Sequence, residues 1–193
     1  MIADPESVLA FWFGSQGPSV EVAERQRTLW FGKSPANDLA VTERFAGTLA
    51  AATAGELDHW AHTPRGRLAW VIVLDQFPHH IFRGRPQAFA TDPQALALCL
   101  AALAAGEDRH LAPIERVFLY LPLEHAESLA MQERAVSLYA QLAHGVAADE
   151  QALFNGFLDY ARRHRDVVAR FGRFPHRNEI LGRASTPDER EFL

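Results

Sequence analysis

A chain of 193 residues, 48% hydrophobic and 22% charged, is the size of one ordinary globular domain with a sizeable core. Its net charge of −5 argues against non-specific attraction to nucleic acid or to an anionic membrane. A single cysteine, Cys99, excludes an internal disulfide and fits a reducing, cytoplasmic setting, where it serves as a small buried hydrophobe.

The opening MIADPESVLAFWFG carries acids where a secretion signal needs positive charge, so no such signal is expected. A capping residue followed by proline, the favoured pair at a helix start, recurs at Asp4-Pro5, Ser34-Pro35, Thr63-Pro64, Asp92-Pro93 and Thr186-Pro187. The first four lie 30, 29 and 29 residues apart, compatible with degenerate helical-hairpin repeats, although their flanks show no clear self-similarity. Helices are predicted over 5–13, 20–31, 35–53, 64–76, 93–105, 113–121, 125–143 and 149–171, with short turns at 56–61 and 176–182. Glycines 14, 32, 55, 106, 145 and 172 fall where such helices would end. The longest apolar run, Ala95–Ala105, is about half the ~20 residues that span a bilayer. With no linker or composition shift, the expectation is one soluble, all-α, antiparallel helical array covering residues 1–193.

Two predicted helices are apolar on every side, the mark of full burial: RLAWVIVLDQFPHH, from Leu68 to Leu74, and VFLYLPL, residues 117–123. Each ends in acids and histidines. Asp75 and Gln76 precede Pro78, His79 and His80 in the first; Glu124, His125 and Glu127 follow Pro122 in the second. An unpaired buried carboxylate costs several kcal/mol, and the negative end of a helix makes Asp75 worse placed still. Asp75 therefore asks for a cation. HRDVVARFGRFPHRNEILGR, residues 164–183, is the richest supplier.

Guanidiniums interleaved with Phe171 and Phe174 in that segment could grip a phosphate, a carboxylate or an unstacked base. The alternative, which we favour, is a clamp in which these arginines pair with Asp75, Glu124 and Glu127 and hold the last helix to the two buried ones. His79 and His80 are adjacent and diverge, so they read as surface histidines rather than a chelate. His125 between two carboxylates could be a general base oriented by an acid, or equally a structural residue in the first turn of the next helix. No GxSxG, P-loop, GxGxxG, HExxH or paired CxxC occurs, and neither a metal nor a cofactor is expected.

VLAFWFG, LDQFPHHIFRGRPQAFATDPQALAL, VFLYLPLEHAES and HRDVVARFGRFPHRNEILGRASTPDEREFL together resemble the bacterial DUF924 family over essentially the whole chain. The resemblance implies an all-helical fold similar to tetratricopeptide-like arrays and leaves function open. Asp75, Gln76, Arg83, His125, Glu127, His164, Arg165, Asp166, Arg170, Arg173, His176, Arg177 and Asn178 match the family pattern. His79-His80 stand where the family usually carries Arg-Asn, and Ala126 where it usually carries Ser.

Three functions follow in order of preference. The first is a helical module that binds or scaffolds a peptide or protein segment. The second is a small-molecule site or enzyme for an anionic ligand, built from Asp75, Gln76, Arg83, His125, Glu127, His164, Arg165, Arg170, Arg173, His176, Arg177 and Asn178. Nucleic-acid binding ranks last because of the net acidic charge, and no membrane partner is expected. Neither catalysis nor oligomeric state follows from the sequence.

Overall fold

The computed structural model describes residues 2–193. Its α-helices are α1 (Pro5–Phe13), α2 (Ser19–Phe31), α3 (Pro35–Thr53), α4 (Pro64–Asp75), α5 (Phe77–Ile81), α6 (Asp92–Ala105), α7 (Pro113–His125), α8 (Leu129–Gly145), α9 (Gln151–Phe171) and α10 (Pro187–Phe192). Short 3-10 turns occupy Asp58–His62, Pro86–Phe89, Glu107–His110 and Pro175–Arg177. No strand occurs among the described residues, and the helices form one compact all-α domain.

Local chemistry explains four of the helix starts. Side-chain oxygens of Asp4, Ser34, Thr63 and Thr186 accept the backbone N–H of Ser7, Asn37, Gly66 and Glu189, satisfying donors that a first turn leaves free. The fifth pair behaves differently. Thr91, not Asp92, takes the cap position of α6, and neither side chain caps it. The Thr91 hydroxyl donates instead to the Leu74 carbonyl at 2.5 Å, and the Asp92 carboxylate turns to Arg177. At the other end, Gly106 and Gly172 close α6 and α9 with φ of 68° and 71°, a left-handed conformation that favours glycine.

Three expectations are corrected. The stretch after residue 76, where no helix is predicted, contains α5, because Pro78 falls in the first turn, where its missing N–H has no partner to lose. Helix α7 does not stop at residue 121 but carries Pro122 within it and runs to His125. Glu124 and His125 therefore sit at a helix C-terminus rather than a helix start. The fully buried Gln132 then closes that end by donating to the carbonyls of Glu124 and Ala126, at 2.5 and 2.8 Å. Finally, Thr186-Pro187 opens the unpredicted short helix α10.

The all-round apolar helix α4 lies at the centre and meets α1, α3, α5, α6 and α7. Its neighbours thus come from both sides of it in the sequence, whereas in a stacked repeat each unit meets only the next. Trp12, Phe13, Trp30 and Phe118 pack edge-on or tilted, while Phe45 stacks on Phe77 at 4.7 Å. Apolar sequence continues from Pro86 to Ala105, but the Pro86–Phe89 turn divides it. Helix α6 alone, 14 residues, rises about 21 Å, short of the ~30 Å of a bilayer core. Helices α8 and α9 form a hairpin against α7 and carry the C-terminal segment back to the ends of α4 and α7.

Candidate functional site

The C-termini of the two most buried helices meet. Asp75, the last residue of α4, is fully buried, and its Oδ1 lies 2.9 Å from His125 Nδ1 on α7. Gln76 Nε2 donates to its other oxygen at 2.5 Å. Burial pushes the Asp75 carboxyl upward, but the charge and hydrogen bond of His125 outweigh it and hold the group below its ordinary range. The same balance acts in reverse on His125, whose imidazole is held above its ordinary value against burial. A hydrogen bond at Nδ1 fixes the ring and directs Nε2 away from the carboxylate. The side chain keeps 17% exposure.

Helix α5 brings His79 onto this pair. Its ring centroid stands 5.8 Å from that of His125 and 5.3 Å from Phe89. Burial, then the charges of His125 and Arg177, press His79 down to about 4, so it is neutral at pH 7. His80, one residue on, turns the other way. It is buried, with Nδ1 2.8 Å from Asp38 on α3, and packs edge-on to Trp12. The adjacent histidines do diverge, yet neither is the freely exposed residue expected: the 77–81 turn buries one against α3 and half-buries the other against α7.

A second acid–base pair borders the first. Arg177, in the turn after α9, is 7% exposed and makes cation–π contacts with Phe89 and Phe174, its guanidinium carbon 4.6 and 4.7 Å from the ring centroids. Its Nη1 donates to Asp92 Oδ2 at 3.0 Å. Burial, reinforced by the nearby charge of Asp75, pushes the Asp92 carboxyl up to about 6 despite His125 and Arg177.

The sequence-derived set thus divides. Asp75, Gln76, His125 and Arg177 converge, joined by His79, Phe89 and Asp92, which the sequence reading left out. His164 and His176 flank the same region through Phe174, at ring distances of 5.4 and 5.5 Å. His164 Nδ1 also lies 2.9 Å from the buried Glu124 and bonds the Tyr160 carbonyl. Glu127, Arg173 and Asn178 belong to a clamp. Glu127 accepts from Arg183 through two nitrogens, at 2.6 and 2.9 Å, and from the Phe174 N–H at 2.8 Å. Arg173 and Asn178 both reach Glu189 on α10. The clamp is real in outline, but its expected pairing is corrected. Asp75 takes His125 and Glu124 takes His164, because these imidazoles sit where the arginines do not reach.

The rest lie elsewhere. Arg83 makes two 2.6 Å bonds to Asp38, Arg165 pairs with its exposed neighbour Asp166, and Arg170 lies over Phe171. Cys99 is buried, its thiol pushed up to about 12. Among the described residues, no group of three or more His, Cys, Asp or Glu is placed to hold a metal ion.

An all-helical domain with a carboxylate–imidazole pair at its core-helix termini defines the class of fold and site. The family model described as "Bacterial protein of unknown function (DUF924)" matches residues 8–193, and the chain belongs to that family. It is similar, at 38% identity and a TM-score of 0.81, to the solved structure of a protein of unknown function, ATU0120, from Agrobacterium tumefaciens. The likeness covers 98% of this chain and 96% of that one. No curated protein matches the chain.

Proposed function

We propose that the cluster around His125 is a small-molecule site at which His125, oriented by Asp75, exchanges a proton with a bound anionic compound. One observation carries this reading: a fully buried carboxylate bonds one nitrogen of a histidine whose side chain keeps 17% exposure. Beside it, His79 is kept neutral while His125 is biased toward its charged form, a separation of two like groups that suits an acid and a base. The reaction class consistent with these parts is proton transfer at a carbon or oxygen next to an anionic group. No nucleophile need be invoked.

The peptide-binding reading has one observation in its favour, an apolar groove of about 460 Å³ between α3 and α5, lined by Ala46, Leu49, Ala50, Pro78, Ile81 and Phe82. That volume is the size of a small-molecule pocket rather than of an extended segment's bed. It therefore ranks second.

The test is a thermal-shift screen of small carboxylic acids, phosphate esters and amines against the wild type and His125→Gln. A ligand at a hundredfold its Kd adds about 2.7 kcal/mol, roughly 5–10 °C for a chain of this length. Anionic compounds that stabilise the wild type and lose their effect in the variant support the site. Equal shifts in both proteins place the ligand elsewhere and defeat the reading.

A further inference from the structure

The two arginines on either side of Arg177 in the C-terminal segment are each held by several hydrogen bonds. Arg173 places Nε and Nη2 on the two oxygens of Glu189, and Arg183 spans Glu127 with two nitrogens while its Nε holds Asn178. Arg177 is more deeply buried than either, yet its guanidinium makes one hydrogen bond, to Asp92. Its Nε is buried without a partner, and so is Oδ1 of Asp92. A buried cation with five donors and one bond is an underused recognition group, because unpaired buried polar atoms are costly. The rings of Phe89 and Phe174 lie 4.6 and 4.7 Å from its guanidinium carbon, and cation–π contact leaves its N–H groups as the donors an oxyanion can meet.

We propose that Arg177 is the anion-recognising group of the His125 site and that Asp92 is its placeholder, which an incoming oxyanion displaces and which takes up a proton as it leaves. This rests on the reading of the cluster as a small-molecule site. The shared ligand chemistry is an oxyanion carried by a carboxylate or a phosphate monoester. No covalent bond is made or broken. The ligand's negative charge replaces that of Asp92 on the guanidinium, and the proton comes from solvent.

The surroundings of Asp92 favour that exchange. It faces Asp75 from α4, His125 from α7 and Arg177 from the 175–177 turn, while His79 of α5 stands against His125. One carboxylate, Asp75, is fixed by two hydrogen bonds; the other, Asp92, is held by one. A third negative group entering this space raises the proton affinity of the less tightly held carboxylate.

Isothermal titration at pH 6.5 tests this, using sulfate and acetate as probes. Neither probe titrates near that pH; sulfate stands for the phosphate arm and acetate for the carboxylate arm. Each titration is run in two buffers of different ionisation enthalpy. We expect uptake of most of one proton per anion bound, no uptake in Asp92→Asn, and binding at least about threefold tighter in that variant because the competitor is gone. Arg177→Lys, which keeps the charge but not the planar fork, should weaken binding by about tenfold. Buffer-independent heats with unchanged affinity in Asp92→Asn would overturn the placeholder role. Binding insensitive to Arg177→Lys, or no binding of either anion to any variant, would overturn the assignment of Arg177. The His125 acid–base reading fails separately, if its imidazole titrates as a free one.

Discussion

Asp92→Asn should stabilise this protein at pH 8, although it removes half of a buried ion pair. The carboxyl sits at about 6 against an ordinary 3.8, because burial and Asp75 outweigh Arg177 and His125. For an acid raised in the fold, the native state binds more protons than the unfolded chain between pH 3.8 and 6. Stability contributed by the protonated form is therefore lost as pH rises through that window, and the deficit is complete above it. At about 1.4 kcal/mol per tenfold change, ionising Asp92 inside the fold costs about 3 kcal/mol. With 17% of its side chain exposed, solvent screens part of this, and about 1.5–3 kcal/mol is expected. Asparagine keeps the shape and an oxygen for Arg177 without the charge. Differential scanning calorimetry from pH 4 to pH 8 should show a Tm gain of roughly 3–10 °C at pH 8 that shrinks to nothing near pH 4. A Tm lowered at pH 8, or a gain equal at every pH, would refute the electrostatic account of this pair.

Three further outcomes follow from the packing. Phe77→Ala removes a fully buried ring stacked on Phe45 and edge-on to Trp12, and should cost about 3–5 kcal/mol in urea unfolding; a loss under about 1 kcal/mol contradicts its burial. Gly156→Ala, on the open face of α9 with nothing near the added carbon, should gain about 0.5–1 kcal/mol, whereas Gly66→Ala should destabilise because its Cβ meets the Trp60 carbonyl oxygen. Equal effects at the two glycines would show that helix propensity, not packing, governs both. Glu189 is held at about 2, chiefly by Arg173 and the Thr186 N–H, so its contribution is present above pH 4.5 and lost as pH falls toward 2. Glu189→Gln should accordingly lower Tm at pH 7 and converge with the wild type in acid; a constant gap would assign the loss to shape alone.

Helix existence was legible because it rests on local chemistry: cap–proline pairs, terminal glycines and apolar periodicity lie within a few residues of what they determine. The misjudged boundaries share one cause. The predicted helices end at 76 and 121, each just before a proline, yet Pro78 falls in a first turn and Pro122 lies in a helix whose end Gln132 closes from α8. Asp75 announced its need for a cation through its position at the end of an apolar helix, but not which cation. That choice depends on the ends of α4 and α7 meeting across 50 residues of sequence. Asp92 was hidden by a good local explanation, since Asp-Pro is also a helix start. Its failure to cap α6, with the Thr91 hydroxyl spent on Leu74, is visible only in three dimensions.

The central claim is that His125 is an acid–base group oriented by the Asp75 carboxylate and responsive to a bound anion. Nitrogen-15 NMR of the histidine rings, titrated with and without sulfate, tests it most directly. The account predicts that His125 titrates above an ordinary imidazole, that His79 titrates at about 4, and that sulfate moves the His125 curve further upward. In Asp75→Asn the His125 value should fall below that of the wild type. An ordinary His125 titration, indifferent both to sulfate and to the loss of the Asp75 charge, would contradict the account.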